Sequence, residues 1–386
     1  MRCRAWVGSG ATAALAVLVG CAIRGTWNEP SFDTCKFVER EWSDDDVPVV
    51  CDLHPTVTED GFVLELRHLR QKTDSQEWRG PVLLVHGLAD SSFTFVLSGS
   101  RDSLVGYLLR NMYEVWLLDK RGRSPYGHQH FNASSQEYWD RISLDEQVDY
   151  DLPAAVAQVR RIAGRPLRAI IGHSQGGLVS ALALASQPET ARSVEHLVVL
   201  GSPLALWGGR FLVPRLPDAL ITVSPVAFFR AARAIASGFC SSRFTARLCA
   251  FLLCAAAGCG DPYAFAPEVI ARVFAYYPRE ASFKNMIHLS DSDARGGLFR
   301  YGQDASHTLE TLQTPTALFY GKFDALLSPD AHQASERALP SQVVKMSDGS
   351  LPYGHAGYIW STTAKDLLYP SVLDFVETDY TRTVDD

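Results

Sequence analysis

Short apolar runs punctuate this chain, and each ends in glycine or a polar loop. Pro81-Val82-Leu83-Leu84-Val85 leads into His86-Gly87-Leu88, and Glu114-Val115-Trp116-Leu117-Leu118 into Asp119-Lys120-Arg121-Gly122-Arg123. His196-Leu197-Val198-Val199-Leu200 is closed by Gly201-Ser202-Pro203. Runs this short, without polar alternation, suit strands buried on both faces of a parallel sheet. Helical spacing separates them, over Ser103 to Arg110, Asp149 to Ile162 and Leu178 to Ala185. Upstream, Thr58-Glu59-Asp60-Gly61 predicts a hairpin turn and Phe62-Val63-Leu64-Glu65-Leu66 the strand leaving it, with Gln71 to Gly80 as a polar connection. Thr316-Ala317-Leu318-Phe319-Tyr320 and Gln342-Val343-Val344-Lys345-Met346 predict the last two strands, and a helix from about Ala364 to Val376 closes the fold. The alternation predicts an α/β fold with a mostly parallel central sheet covered on both faces.

From Leu204 to about Glu310 the rhythm stops. This stretch is rich in Ala, Phe, Leu and Arg, with proline breaks and four cysteines. It predicts a mostly helical cap or lid over the strand ends, where open α/β sheets place their ligands. The expected organisation is an N-terminal targeting segment (1–24), a core in two parts (25–203 and 311–386), and a helical insertion (204–310) between them.

The two ends and the charge narrow the setting. Arg2 and Arg4 precede an uncharged stretch from Ala5 to Ile23, and Gly20 and Ala22 are small residues spaced as a cleavage site needs. This reads as a secretory signal peptide cut near Ala22. Left uncleaved, the same run would serve as an N-terminal membrane anchor; Leu18-Val19-Gly20-Cys21 also resembles a bacterial lipobox. Cleavage removes Cys3 and Cys21 and leaves Cys35, Cys51, Cys240, Cys249, Cys254 and Cys259. An even number behind a secretion signal suggests disulfides. Cys35 with Cys51 would tie down the N-terminal arm, and Cys240 with Cys249 would staple the insertion; buried free thiols are the alternative for either pair. Asn132-Ala133-Ser134 is a glycosylation sequon in a polar stretch. A net charge of −7 over 386 residues, with no long basic run, argues against a nucleic-acid partner.

The chemistry centres on Leu167 to Leu178. An apolar run ends in Gly172-His173-Ser174-Gln175-Gly176, and a helix follows: the strand, sharp turn and helix of a nucleophile elbow. A serine hydroxyl needs a base within hydrogen-bond reach, and the base needs an orienting carboxylate. His355 lies in a loop beyond the last strand and is the candidate base, whereas His332 falls in a helical segment and reads as a surface residue. Asp324 directly follows a strand and is the candidate acid over Asp304, Asp330 and Asp348. The backbone N–H groups of Gln175 and Leu88 are the candidate oxyanion donors. His173 reads as packing beneath the elbow. His128 and His130 read as a surface loop without a third metal ligand. The chemistry calls for neither metal nor cofactor.

These residues resemble the acid lipases, the α/β-hydrolase group that includes gastric and lysosomal acid lipase. The resemblance spans roughly residues 56 to 376. It rests on Val57-Thr58-Glu59-Asp60-Gly61-Phe62, His86-Gly87-Leu88-Ala89-Asp90-Ser91-Ser92, Tyr113-Glu114-Val115-Trp116-Leu117, Asp145-Glu146, Tyr150-Asp151-Leu152-Pro153-Ala154 and Gly172-His173-Ser174-Gln175-Gly176. Tyr320-Gly321 with Asp324, and His355 through Trp360, follow in the same order. It implies a Ser174–Asp324–His355 triad, Leu88 and Gln175 as oxyanion donors, and a cap disulfide between Cys240 and Cys249. It also implies hydrolysis of triacylglycerols or steryl esters beneath a mobile lid. Two motifs depart: Asp119 stands where the group has Asn, and Gly357-Tyr358 replaces the usual Asp-Phe.

The reading is a serine hydrolase of lipid carboxylic esters, a lipase or esterase working through an acyl-enzyme in a secreted or lysosome-like lumen. Its partners are a lipid ester and, transiently, a lipid surface. Phe228, Phe229, Phe251, Leu252 and Leu253 would form that surface or, equally, ordinary helix core. A carboxylesterase or acyltransferase on other acyl esters, or a lipid-binding protein without turnover, are the alternatives.

Overall fold

In a computed structural model of the chain, eight strands form one sheet: β1 (Val49–Val57), β2 (Val63–Gln71), β3 (Pro81–Val85), β4 (Glu114–Asp119), β5 (Ala169–His173), β6 (Leu197–Leu200), β7 (Thr316–Gly321) and β8 (Val344–Leu351). The structure describes residues 33–42, 48–72, 78–123, 127–205, 224–240, 242–327 and 329–380. The strands lie in the order β1-β2-β4-β3-β5-β6-β7-β8. β1 and β2 form an antiparallel hairpin, β2 runs antiparallel to β4, and all pairings from β4 to β8 are parallel.

Every residue of β3, β4, β5 and β6 is buried, as the uninterrupted apolar runs require. Two apolar cores fill the faces: Leu84, Val115 and Ile171 point into one, and Leu83, Trp116 and Ile170 into the other. The main helices are α1 (Thr34–Glu41), α2 (Leu104–Arg110), α3 (Leu152–Ala163), α4 (Gln175–Ser186), α5 (Pro225–Cys240), α6 (Arg243–Ala257), α7 (Pro267–Tyr276), α8 (Phe283–Arg295), α9 (Ala331–Ala338) and α10 (Tyr369–Glu377). Four of them, α5 to α8, lie between β6 and β7.

Differences from the sequence reading have local causes. β2 continues beyond Leu66 through Arg67, His68 and Arg70, because each of these side chains finds an acidic partner in place, Arg70 pairing with Asp52. Arg67 is paired with Glu65 at 2.5 Å and with Asp119, while His68 stacks on Trp116 at 3.9 Å and meets Glu114 at 3.1 Å. The closing helix is two pieces, Ala364–Leu367 and α10, since Pro370 has no N–H to continue the ladder. His128 is buried, not on the surface: Nε2 donates to the Asp60 carbonyl at 2.8 Å while Nδ1 accepts from the His130 N–H at 2.9 Å. His332 is half-buried and bonds Ser347.

Cys35–Cys51 ties α1 to β1 and Cys240–Cys249 ties α5 to α6, while a third disulfide, Cys254–Cys259, was not paired in the sequence reading. Asn132 is exposed. Among the described residues no helix is long and apolar enough to cross a membrane. The 1–24 targeting segment lies outside the described residues.

Arg121 locks the hairpin turn, the end of β4 and the start of α3 together. Its Nε donates to Asp151 at 2.8 Å, its two Nη groups to Asp60 at 2.9 and 3.1 Å, and its guanidinium lies 4.2 Å from the Phe62 ring centre. The side chains of Arg121 and Asp151 are fully buried. Removing one partner of such a pair strands the other without solvent. Arg121→Met is expected to lower unfolding free energy by about 3–5 kcal/mol in urea titration; a loss below about 1 kcal/mol would show that water reaches the two carboxylates.

Candidate active site

Ser174 sits between β5 and α4 with φ +53° and ψ −127°, a left-handed conformation strained for a residue with a Cβ. Sterics permit the turn only because its neighbours lack side chains. A Cβ on Gly172 would fall 2.4 Å from the Gly177 Cα, and one on Gly176 2.1 Å from the Val85 carbonyl oxygen. The Ser174 N–H donates to the Leu200 carbonyl at 2.9 Å, and the Ser202 hydroxyl donates to the Ser174 carbonyl. The elbow is thereby pinned to β6.

The histidine and carboxylate arrive from the last two parallel strands. Asp324 follows β7, His355 follows β8, and their loops are joined by the Lys322 N–H to the Leu351 carbonyl at 2.9 Å and the Phe323 N–H to the Tyr353 carbonyl at 3.0 Å. His355 Nε2 lies 2.8 Å from Ser174 Oγ, and Nδ1 lies 2.9 and 3.1 Å from the two Asp324 oxygens. Asp324 has a buried side chain. The rival acids go elsewhere: Asp304 pairs with Arg295, Asp330 begins α9 on the surface, and Asp348 accepts from the Ser350 N–H. An imidazole bridging hydroxyl and carboxylate can take the serine proton while the carboxylate holds its tautomer.

Several supports were invisible in the motifs. The Tyr358 hydroxyl accepts from the Gly321 N–H at 2.7 Å and donates to Asp324 Oδ2 at 3.2 Å, so this departure from Asp-Phe orients the acid. The Ala257 carbonyl, at the end of α6, accepts from both the Ala325 N–H at 3.2 Å and the His355 N–H at 3.0 Å. Gly258, at φ +74°, allows this approach; a Cβ there would fall 1.7 Å from the Phe323 carbonyl oxygen. His173 does more than pack: its Nε2 donates to the His355 carbonyl at 2.9 Å. Burial, with the neighbouring His355, lowers its pKa to about 3, so it stays a neutral donor.

The first four N–H groups of a helix have no acceptor within it, and Gln175 is the first residue of α4. Its side chain pairs with Asn285 of α8, Nε2 to Oδ1 at 3.0 Å. The backbone before Leu88 abuts the serine: a Cβ on Gly87 would lie 3.1 Å from that of Ser174. Leu88 packs against Phe229, Ala281 and Phe283.

Beside this turn is a cavity of about 30 Å³ lined by polar side chains that include Asp90, Lys120 and Glu280. Burial lowers Lys120 to about 7 and raises Asp90 to about 7. Burial alone would raise Glu280, but the Arg279, Arg123 and Arg233 guanidiniums hold it at about 2.

The model of the alpha/beta hydrolase family matches residues 82–359. The chain belongs to that family. A second family model, a partial alpha/beta-hydrolase lipase region, matches residues 49–99. Among curated proteins, this alpha/beta hydrolase is 24% identical over 358 residues to human gastric triacylglycerol lipase, covering 84% of the chain and 87% of the relative. It is 26% identical over 363 residues to human lysosomal acid lipase/cholesteryl ester hydrolase, covering 83% and 86%. The crystal structure of a putative lipase from Sulfolobus solfataricus shares the fold at TM-score 0.62 and 15% identity, covering 85% of this chain and 94% of that one. The resemblance to acid lipases read from the motifs therefore extends over most of the polypeptide.

Tyr358→Phe removes the hydroxyl between Gly321 and Asp324 and leaves a buried N–H unpaired. Its expected effect is a roughly tenfold loss of kcat on an ester substrate, equivalent to about 1.4 kcal/mol, with KM nearly unchanged. Steady-state kinetics showing unaltered kcat would remove Tyr358 as a positioning group.

Proposed function

We propose that this carboxylic ester hydrolase cleaves esters of lipids through an acyl-enzyme on Ser174. The single observation that carries this reading is the His355 bridge, 2.8 Å from Ser174 Oγ and 2.9 Å from Asp324. Ser174 attacks the ester carbonyl as His355 takes its proton. Asp324 holds the imidazole with Nδ1–H toward itself and stabilises the imidazolium. The Gln175 and Leu88 N–H groups face the developing oxyanion. His355 then protonates the leaving alcohol, and water, deprotonated by the same imidazole, releases the acid. Asp324→Asn should lower kcat by about 10⁴ while the protein stays folded. Ser174→Ala should abolish labelling by a lipophilic fluorophosphonate, and a mutant that still labels would remove Ser174 as nucleophile.

The lipid part of the reading draws on the relatives, named for triacylglycerol and cholesteryl ester substrates, and on the insertion's surface. Phe228, Phe251 and Leu252 are about half exposed, whereas Phe229 is buried and Leu253 is half-buried, so the expected lipid-facing set divides between surface and core. Phe239, Leu248, Tyr263 and Phe323 are also exposed, and Phe323 directly precedes Asp324. Exposed apolar side chains clustered on one insertion are the physical mark of a surface that meets another apolar phase. The helices between β6 and β7 thus act as the cap assigned to 204–310. The disulfides, and relatives named gastric and lysosomal, support work in an oxidising or lumenal compartment reached through the secretory pathway. Phe251→Asp combined with Leu252→Asp is expected to cut hydrolysis of emulsified triolein at least about tenfold more than hydrolysis of a dissolved short-chain ester. Equal effects on both would place these residues outside the lipid contact.

A further inference from the structure

The cavity beside the oxyanion turn is chemically unlike a pocket for a plain hydrocarbon chain. Lys120 Nζ is buried and has no hydrogen-bond partner among the described residues. As ammonium or amine, the nitrogen carries N–H donors that nothing nearby accepts, so this site is short of an acceptor atom. The other charges nearby are engaged. Arg121 is held by Asp60 and Asp151, Arg123 contacts Glu280 at 3.5 Å, and Arg233 reaches Glu280 at 2.7 Å. Asp90 Oδ1 accepts from the Ser91 N–H at 2.8 Å. At about 30 Å³ the space takes roughly two water molecules, or one small oxygen-bearing group in their stead.

Sheet order decides which half of an ester meets this cavity. His355 must protonate the leaving alcohol, so the alcohol departs toward the loops after β7 and β8. The cavity lies on the other side of β5, against the loops after β3 and β4, and Leu88 and Gln175 line it. Of the two halves of the ester, the acyl group, whose carbonyl oxygen meets the Leu88 and Gln175 N–H groups, is therefore the one on the cavity's side of β5.

We propose that this cavity is an acyl-side subsite in which Lys120 binds an oxygen acceptor, a hydroxyl or carboxylate carried by the acyl group a few bonds from the ester carbonyl. The inference rests on the acyl-enzyme reading above and specifies its substrate class: esters of hydroxy- or carboxy-acyl groups. A plain alkyl chain entering the same space displaces water from the ammonium and returns no acceptor. The Gln175–Asn285 pair and Glu280 line the same space and keep it polar.

The test compares ethyl butyrate, ethyl 3-hydroxybutyrate and monoethyl succinate, with acid release followed at constant pH on the intact mature protein. At least one oxygenated ester is expected to exceed ethyl butyrate in kcat/KM by about tenfold or more. The two arms tell hydroxyl from carboxylate. In Lys120→Met the ratio of the preferred oxygenated ester to ethyl butyrate should fall at least about tenfold. The wild-type ratio stands even if that variant does not fold. Ethyl butyrate turned over as fast as both oxygenated esters, or a ratio unmoved in a folded Lys120→Met, would overturn the subsite and leave the acyl-enzyme intact. No turnover of any ester together with no fluorophosphonate label at Ser174 would instead overturn the acyl-enzyme reading and the subsite with it.

Discussion

One backbone conformation organises this molecule. Ser174 is held at φ +53°, a region that costs a non-glycine residue about 1–3 kcal/mol and persists only where its surroundings over-determine it. The surroundings lie at the ends of β5 and β6 and the start of α4. The Leu200 carbonyl at the end of β6 and the Ser202 hydroxyl just beyond it bind the Ser174 N–H and carbonyl, and Gly172 and Gly176 let strand and helix close on the turn. Because β5 is central in the parallel sheet, its C-terminal end is flanked by the ends of β3 and β6. The strained turn thus faces the Gly87–Leu88 backbone on one side and, farther across, the loops that carry Asp324 and His355. Strain at the serine and convergence of its partners have one origin, the parallel order of the strands.

That origin explains which parts of the chain were legible in advance. Central strands are buried on both faces, so Pro81–Val85 and Leu197–Leu200 had to be apolar throughout and announced themselves. Ser174 and Asp324 each stand just past such a run, whereas His355 follows β8, an edge strand of alternating half-buried and exposed residues. The edges were harder. β1 alternates partly buried and exposed residues and includes Asp52, His54 and Pro55, and β2 keeps charged residues that its neighbours neutralise. Pairing of that kind depends on residues far along the chain, which a local pattern does not contain. Arg121 shows the converse. The hairpin turn and the Tyr150-Asp151-Leu152-Pro153 segment looked like separate motifs, and the structure joins them through one guanidinium bound to Asp60 and Asp151.

The insertion was legible only in outline. Its helical character followed from composition, but its attachment to the site runs through backbone atoms, which have no signature in side-chain identity. The Ala257 carbonyl receives N–H groups from both Ala325 and His355, and Gly258 is bare so that the Phe323 carbonyl can approach. The Cys254–Cys259 disulfide closes the turn containing these two residues. The loops that carry His355 and Asp324 therefore share one anchor on the insertion, and displacement of α6 would disturb both together. An insertion linked in this way bears on the geometry of the Ser174–His355–Asp324 contacts.

The same insertion presents two opposite surfaces within a short distance of the serine. Outward, Phe228, Phe251 and Leu252 stand exposed on α5 and α6; inward, Glu280 and Asn285 line a polar cavity with Asp90 and Lys120. These cannot serve one uniform hydrocarbon ligand, because desolvating Lys120 Nζ beside an alkyl chain leaves its donors unsatisfied. They can serve an amphipathic ester whose apolar bulk remains with the outer surface while a polar part of the acyl group enters beside the oxyanion turn. The division follows from the fold: the insertion residues nearest the β3 and β4 loops, Glu280 among them, pack against buried charge, whereas the exposed faces of α5 and α6 mix Phe228, Phe251 and Leu252 with Arg230 and Arg247. On the proposed acyl-enzyme reading, substrate selection would be set where the insertion meets the sheet, and the elbow would supply the reaction.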